Sequence, residues 1–427
     1  MKINIKIWHF ILSLCLIIFI IQVREYVDSV ILFIVWIKLF FSNFSFAIGQ
    51  INFPLVDRFL STFLIVLIPF YIYKKKSKNV FINNKLNFTS ATIIVLLSFF
   101  IFAPIIAVTN PDFQKNLNVT KLLPPLSKVK VLYLKEETGY DNNEVNDFLK
   151  LKDEVIKKSF ENSIIFIDSL RNGQTITYFQ KGRTYNIEKD KVQFSLGQPV
   201  VESKTFLLGS DEFGRDIFSR LVYGTRISLF VGLCAVAISL ILGLSLGFIA
   251  GFFSGPLDVL LNRFTDMLLA FPMIFLIILI LALFGNNLMA VIFVLGFSGW
   301  MSLFKIVRSE VISIKNKEYF ITSKMLGLSK SNLLIKEILP VIAASVIVNL
   351  VFQYGNVILA EAALSFLGLG TGSSYPSWGQ MIEAGQVYLT SAWWMIVFPG
   401  LILFLTLFAA YNFGRESSEF FNPRIKV

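Results

Sequence analysis

The stretch Lys317-Glu-Tyr-Phe-Ile-Thr-Ser-Lys-Met-Leu-Gly327, continued by Leu-Ser-Lys-Ser-Asn-Leu-Leu-Ile-Lys-Glu-Ile-Leu-Pro340, is a polar interval between two long apolar runs. Its local chemistry predicts two short helices. Gly327 suits the position just past a helix end, where left-handed dihedrals are needed. Ser329 or Ser331 offers a side-chain oxygen to cap the next helix. Pro340 suits a helix start, where its missing N–H is no loss. The first helix places Tyr319, Phe320, Met325 and Leu326 beside Glu318 and Lys324. A short exposed helix of that composition either fits a groove on a soluble partner or lies along a lipid surface.

Working outward, the chain is far too apolar for a soluble domain. Of 427 residues 55% are hydrophobic and only 16% charged, with 45 Phe and a mean hydropathy of +0.69. The apolar residues come in long runs, which makes the bilayer the expected solvent and membrane lipid the first partner. Nine runs approach the length needed to cross hydrocarbon: 7–23, 29–49, 58–73, 89–108, 227–251, 266–284, 287–307, 341–363 and 393–413. The first has a short basic lead but no small-x-small cleavage pattern, so it is read as a retained membrane segment.

The net charge of +11 comes from short basic clusters between the apolar runs. That is a topology signal and excludes nucleic-acid binding as the leading reading. The interval 305–336, the cluster of Lys74, Lys75, Lys76, Lys78 and Lys85, and the tail with Arg415, Arg424 and Lys426 are expected on the cytoplasmic side. Counting spans from these anchors puts 109–226 and 364–392 outside. It also puts the N-terminus outside, against the preference of Lys2 and Lys6. Lys38, inside the second run, makes that run the weakest span and the first candidate for an interfacial segment.

Cys15 and Cys234 supply neither a disulfide framework nor a metal site, and His9 is the sole histidine. Histidine-based catalysis and zinc binding therefore have little material. No Gly-x-x-x-x-Gly-Lys-Ser/Thr loop is present to cradle a nucleotide phosphate. Residues 126–204 differ from the rest in their Lys, Glu, Asp and Asn content. Runs 129–134 and 175–179 read as strands and 143–160 as a helix, giving a small α+β insertion that serves as a stabilising decoration or as a ligand-binding surface.

Three further features invite two readings each. Gly209-Ser-Asp-Glu-Phe-Gly-Arg-Asp216 either orders an outer mouth through Arg215–carboxylate pairing, with Gly209, Asp211, Gly214, Arg215 and Asp216 as its signature, or is a plain structural turn. Glu361, at the end of one span, either lines a pathway or sits at the polar interface for packing alone. Asp266, at the inner end of another, is a pathway candidate or a partner of Arg263 three residues earlier.

Taken together, the motifs resemble the permeases of bacterial ABC importers, in particular the C-type subunit of the peptide/nickel family. The resemblance covers roughly 88–123 and 205–425. It rests on Phe102-Ala-Pro-Ile-Ile106, Asn110-Pro-Asp112, the 209–216 signature, Ser219-Arg220 and Tyr223-Gly-Thr-Arg-Ile-Ser228. Asp258, Arg263, Asp266 and Phe271-Pro272 follow. Ala360-Glu-Ala-Ala-Leu-Ser-Phe-Leu-Gly-Leu-Gly370, Pro376-Ser-Trp-Gly379, Trp393-Trp394 and Pro399-Gly400 complete it. Two departures stand out: Phe206-Leu207 replaces a usual His-Pro, and Ile321, Thr322 and Ser323 replace the Glu-Ala-Ala element of the coupling loop.

The resemblance implies an all-α polytopic bundle of about six helices, with about three extra N-terminal helices and the α+β insertion. It divides the chain into 1–87 (extra segments and basic linker), 88–125 (first permease span), 126–204 (extracytoplasmic insertion) and 205–427 (permease domain). It implies residence in the bacterial inner membrane and ATPase coupling through 317–340, with Glu318, Tyr319, Phe320, Ile321, Thr322, Ser323, Gly327 and Pro340. No cofactor is expected on this chain, with ATP and Mg used by partner subunits. The implied partners are a second permease, two ATPases and an external substrate-binding protein, for import of oligopeptides or dipeptides, or of nickel. A competing reading is a membrane sensor or scaffold with a ligand-binding outer domain.

Overall fold

The computed structural model describes residues 6–75, 84–135, 144–158, 164–370, 372 and 376–421. The chain divides into two compact units. One comprises residues 1–226 with 384–399, the other 227–383 with 400–427.

The first unit begins with helices α1 (Ile7–Ile21), α2 (Val23–Ser42), α3 (Phe44–Gly49), α4 (Phe53–Lys75), α5 (Phe88–Ile106) and α6 (Leu117–Thr120). Strand β1 (Ser127–Tyr133) and helix α7 (Glu144–Lys152) open the insertion. It continues with β2 (Ile164–Ile167), β3 (Ser169–Asn172), β4 (Ile176–Gln180), β5 (Arg183–Ile187), β6 (Phe194–Ser195), β7 (Gln198–Pro199) and β8 (Val201–Phe206). Helix α8 (Ile217–Phe253) leads into the second unit. There follow α9 (Pro256–Leu269), α10 (Met273–Phe284), α11 (Leu288–Lys315), α12 (Glu318–Met325), α13 (Lys330–Asn332), α14 (Leu339–Phe366) and α15 (Trp378–Gln386). Helix α16 (Trp394–Phe421) closes the chain.

Among the described residues six helical stretches are long and apolar enough to cross a membrane, and two further helix pairs qualify only together, bent by 80° and 87°. Both bends correct the sequence reading. The run 266–284 is not one straight span. It breaks at Phe271-Pro272, because Pro272 has no N–H to continue a helix and disfavours the helical region for its predecessor. At about 1.5 Å per residue, the 12 residues of α10 reach only about 18 Å. The run 7–23 is α1 and the start of α2, joined by the other bend at Gln22, and the run 29–49 is the rest of α2 followed by α3.

The N-terminal residues are also placed differently from the span count. Lys6 forms a β-bridge with Lys85, and the Ile7 N–H donates to Asn84 O at 3.1 Å. At the far end Gln22 Nε2 donates to Ile106 O at 3.2 Å. Helices α1 and α5 therefore run side by side in the same direction, and Lys6 lies at the end of the basic linker. The span count had put Lys6 and that linker on opposite sides.

In the insertion, β2-β1-β8 and β3-β4-β5 form two antiparallel sheets of three strands. Alternation along β1 sends Val129 and Val131 to one core, with Phe113, Phe166 and Phe206, and Leu132 to another, with Ile167, Ile176 and Val192. The runs read as strands at 129–134 and 175–179 are β1 and β4. The expected helix 143–160 is α7 followed by a wide π turn over Asp153–Lys157, and its residues 143 and 159–160 lie outside the described set.

Helix α4 is fastened to α5 where the latter is broken chemically. Pro104 lacks an N–H, so the carbonyl of Phe100, four residues earlier, has no helical donor. Arg226 Nε donates to that oxygen at 2.5 Å. The same guanidinium pairs in a fork with Asp57, at 2.5 and 2.6 Å. Ser61 Oγ donates to Ile101 O at 2.7 Å, and Arg58 to Pro104 O. In the second unit, Gly243, Gly247 and Gly251 of α8 meet Leu303, Val307 and Val311 of α11 so closely that a Cβ would lie 2.7–2.8 Å from the facing side chain. This small-residue stripe lets the two backbones approach.

Breaking the Asp57–Arg226 pair leaves a guanidinium with little water to turn to. Asp57→Leu is expected to cost about 3–5 kcal/mol, whereas Asp57→Leu with Arg226→Met recovers a large part of it. Thermal unfolding of the purified full-length protein in detergent measures both.

Candidate functional site

The sequence motifs converge on two packed polar knots and one protruding element. In the first unit, Asp211 accepts from the N–H groups of Phe213 and Arg215 at 2.9 and 2.8 Å, and from Arg215 Nε at 2.6 Å. Asp216 caps α8, accepting from the N–H and the hydroxyl of Ser219 at 2.8 and 2.6 Å. The Ser219 hydroxyl in turn accepts from the N–H groups of Val108 and Thr109, each at 3.1 Å. Arg220 reaches Asp112 at 3.2 Å. The exit of α5 and the start of α8 are thereby tied together, more than a hundred residues apart in sequence.

The glycines of this knot have no room for a side chain. At Gly209, with φ +84°, a Cβ would sit 2.5 Å from Leu123 O and 2.8 Å from the Trp394 indole nitrogen. Gly214, at φ +69°, abuts the Thr120 hydroxyl. Trp394 donates to Ser210 O at 3.0 Å. Asp211, Asp216 and Arg220 are all buried. The geometry is that of a closed turn in which Asp211, Asp216, Arg215 and Ser219 point at each other.

Burial raises the Asp216 carboxyl above the usual carboxylate range, against the hydrogen bonds of Ser219 and the nearby Lys204. Burial lowers the Lys204 ammonium to about 8, with Asp216 opposing the shift. Lys204 lies over the rings of Phe113 and Phe166, at 5.8 and 5.6 Å from their centres.

The second knot surrounds Glu361, which is fully buried. Its carboxylate accepts from Ser365 Oγ at 2.8 Å and Ser228 Oγ at 3.3 Å. Ser228 Oγ also accepts the Trp378 N–H at 3.3 Å, and Ser365 meets Ser377 at 3.4 Å. Gly379 lies so close that its Cβ would fall 2.6 Å from Ala362 Cα. The Glu361 stretch and Pro376-Ser-Trp-Gly379 are thus two halves of one clasp joining α8, α14 and α15. Glu361 is therefore enclosed within the second unit rather than placed at a polar interface.

Asp266 is paired with Lys305 of α11 and accepts from Asn262 Nδ2 at 3.1 Å. The expected Arg263 partner is replaced because α11 packs alongside α9. Asp258, about two turns earlier on α9, pairs in a fork with Arg308. These two pairs hold the bent arm of α9 onto α11.

The protruding element is α12. Its end is a Schellman closure: the N–H of Leu328 donates to Ser323 O at 3.4 Å and that of Gly327 to Lys324 O at 3.1 Å, with Gly327 at φ +80°. Ser329 caps the next turn by accepting from the Asn332 N–H at 3.4 Å. Tyr319, Ile321, Met325 and Leu326 are exposed, the last two at 81% and 77%. Glu318 and Thr322 are exposed as well, and Ser323 is half-buried.

Phe320 corrects the expectation that it faces a partner: it is 3% exposed and packs with Val311, Ile314, Leu333 and Ile338. Pro340 lies in the first turn of α14, as expected of a helix start, and a π turn over Leu333–Ile338 joins that start to the helical turn from Lys330. The glycine stripe on α8 and the contact of Asp112 with Arg220 escaped the sequence reading. The four-residue spacing of Gly243, Gly247 and Gly251 was the available signal for the first; the second had none.

These features define a polytopic helical membrane protein of the transport type, with a short helix held out from the bundle. The family described as binding-protein-dependent transport system inner membrane component matches residues 243–418. A dipeptide transport system permease protein DppC from Alkalihalophilus pseudofirmus is 38% identical over 218 residues, 51% of this chain and 72% of that one. An oligopeptide transport system permease protein OppC from Haemophilus influenzae is 37% identical over 226 residues, 53% of this chain and 72% of that one. A solved structure of the MetNI methionine ABC transporter covers 47% of this chain and 97% of its own, at 16% identity and a TM-score of 0.39. The chain belongs to this binding-protein-dependent family, as an inner-membrane ABC-importer permease subunit of the C type.

Two outcomes test the knots. Gly379→Ala, which forces a Cβ onto the backbone of Ala362, and Glu361→Leu, which strips the hydroxyls of Ser228 and Ser365 of their acceptor, are each expected to cost about 1–3 kcal/mol of stability in detergent. The second concerns pH. Because the Lys204 pKa of about 8 lies below that of a free lysine, the unfolded chain binds more protons from about pH 8 upward, and stability from this group rises over that window. Lys158, also lowered to about 8 by burial, adds a parallel rise. Unfolding midpoints from pH 7.5 to 10 are expected to climb less steeply in Lys204→Met than in the parent.

Proposed function

We propose that this permease admits oligopeptides or dipeptides and is driven through α12 by separate ATPase subunits. The observation that carries the reading is the joint one of kinship and geometry. The relatives at 35–38% identity are named for dipeptide, oligopeptide and di/tripeptide transport. The segment corresponding to their coupling loop is a helix anchored by Phe320 below and presenting Tyr319, Ile321, Met325 and Leu326 outward. An anchored helix with an apolar outer face suits a groove on a folded partner.

In this reading the chain carries no nucleotide site and binds no cofactor. Two ATPases use ATP and Mg, a second permease completes the pathway, and an external binding protein delivers substrate. Closure of the ATPase pair displaces α12, and alternating access follows as the two sides of the pathway open in turn. Glu318 supplies the remaining acid at the start of α12, where Ile321, Thr322 and Ser323 stand in for Glu-Ala-Ala. The Gly209–Asp216 knot and the Glu361 clasp serve as rigid fittings at the ends of the moving spans, and Asp266 as a strut to α11.

The test uses Met325→Asp with Leu326→Asp, two exposed changes that leave the Phe320 anchor in place. Uptake of labelled di- to hexapeptides is expected to fall to background, and ATPase subunits to be lost on co-purification, at an unchanged level of membrane-inserted chain. Undiminished uptake would overturn the coupling role. A parent chain that purifies alone, with no ATPase, would favour the sensor or scaffold.

A further inference from the structure

Helix α2 has a membrane span's length but not its surroundings. It leaves α1 through the 80° bend, at the end where Gln22 meets Ile106 and opposite the end where Lys6 meets Lys85. On one face, Leu32 and Leu39 are buried against Phe148 of α7 and Val155 of the π turn that follows it. That partner carries Glu144, Asp147, Lys150, Lys152, Asp153 and Glu154, a charge density that hydrocarbon does not tolerate. Ser42 donates to Glu144 at 3.2 Å, and Lys152 to the Gln50 side chain at 2.8 Å.

The opposite face is apolar and uncovered. Val23, Val27, Ile31, Ile34 and Phe41 recur at helical spacing on one stripe and are between 42% and 84% exposed. Lys38 falls in the same stripe near the helix end, where a four-carbon stem lets its ammonium reach the headgroups. At the bend, Glu25 is held by Arg58 at 2.7 Å and by Lys158 at 3.0 Å, the second reaching back from the insertion. Charge above and an apolar stripe below are the marks of a helix lying in the membrane surface.

We propose that α2 lies in the plane of the outer membrane surface, with its stripe seated in the lipid leaflet and α7 carried on its back. The N-terminal extension and the insertion are then one accessory unit: α1 and α4 cross the bilayer, α2 joins them along its surface, and the insertion is mounted on that joint. Lipid is the occupant of the stripe because α2 is continuous through Gln22 with the apolar helix α1. This arrangement also places Lys6 with the basic linker on the cytoplasmic side, as charge requires. It holds whatever solute the permease carries.

The test places single cysteines at Val27, Ile31 and Ile34 in the full-length chain with Cys15→Ala and Cys234→Ala. The protein, in phosphatidylcholine vesicles, carries a fluorophore at each site. Lipid nitroxides near the headgroup are expected to quench all three about twofold more strongly than nitroxides at the bilayer centre, while a label at Asp147 responds to aqueous iodide alone. Stronger quenching from the bilayer centre would make α2 a crossing helix and overturn the proposal. Quenching of the stripe by iodide alone, or by no quencher, would overturn it in favour of water or a covering protein. A protease-cleavable tag ahead of Lys6 supplies a check that needs no cysteine: cleavage only from the cytoplasmic side is expected, and cleavage only from the outside overturns the arrangement.

Discussion

Hydrocarbon offers no hydrogen bond, and that constraint decides where the polar groups of this chain's spans sit. Several of them are turned toward another part of the protein and used as fasteners. The Phe100 carbonyl, released by Pro104, is met by Arg226, and Arg226 would be intolerable there without Asp57. Glu361 is ringed by serine hydroxyls. The same logic makes residues that look like pathway ligands in the sequence into joints in the structure. An ionisable group in a membrane helix is expensive, so its presence implies a specific partner; whether that partner is a solute or another helix is a separate matter.

The joints are also glycine-dependent. A carboxylate can accept from a hydroxyl on a neighbouring helix only where the backbones come close. Gly379 against Ala362 and Gly209 against Leu123 provide that approach. The Gly243, Gly247 and Gly251 stripe does the same for α8 and α11 by close packing against Leu303, Val307 and Val311. Polar clasp and small-residue stripe are alternative answers to one problem, since lipid tails are as apolar as leucine and leave packing and hydrogen bonding to hold helices together.

What the sequence made legible divides along the same physical line. The Gly327 closure and the Ser329 cap depend on a few neighbouring residues and were readable directly, as were the strands 129–134 and 175–179. The number of permease spans followed from apolar length. For α2, Lys38 marked the run as the weakest span, but the charged α7 lying against it comes from over a hundred residues away and could not be read from the run itself. Phe320 was misplaced because eight residues of helix give too little periodicity to say which side is buried. Pro272 was visible, but an apolar run hides a break that costs no hydrophobicity. Asp112 and Arg220 sat in separate motifs with nothing in the chain to say they touch.

The continuity of structure from Lys330 to Phe366 has a mechanical consequence. Phe320 seats α12 among Val311 and Ile314 at the end of α11, and Leu333 and Ile338 at the foot of α14. A force on the exposed face of α12 therefore enters both helices at once. Along α14 it reaches the Glu361 clasp, where Ser228, Ser365 and Trp378 are fixed to the same carboxylate or to one another. Between the two lies one weak point, the π turn over Leu333–Ile338 ahead of Pro340, where the α-helical hydrogen-bond ladder is interrupted. Along this route buried partners supply stiffness, and the interruption of the α-helical ladder falls just ahead of a proline that cannot complete it.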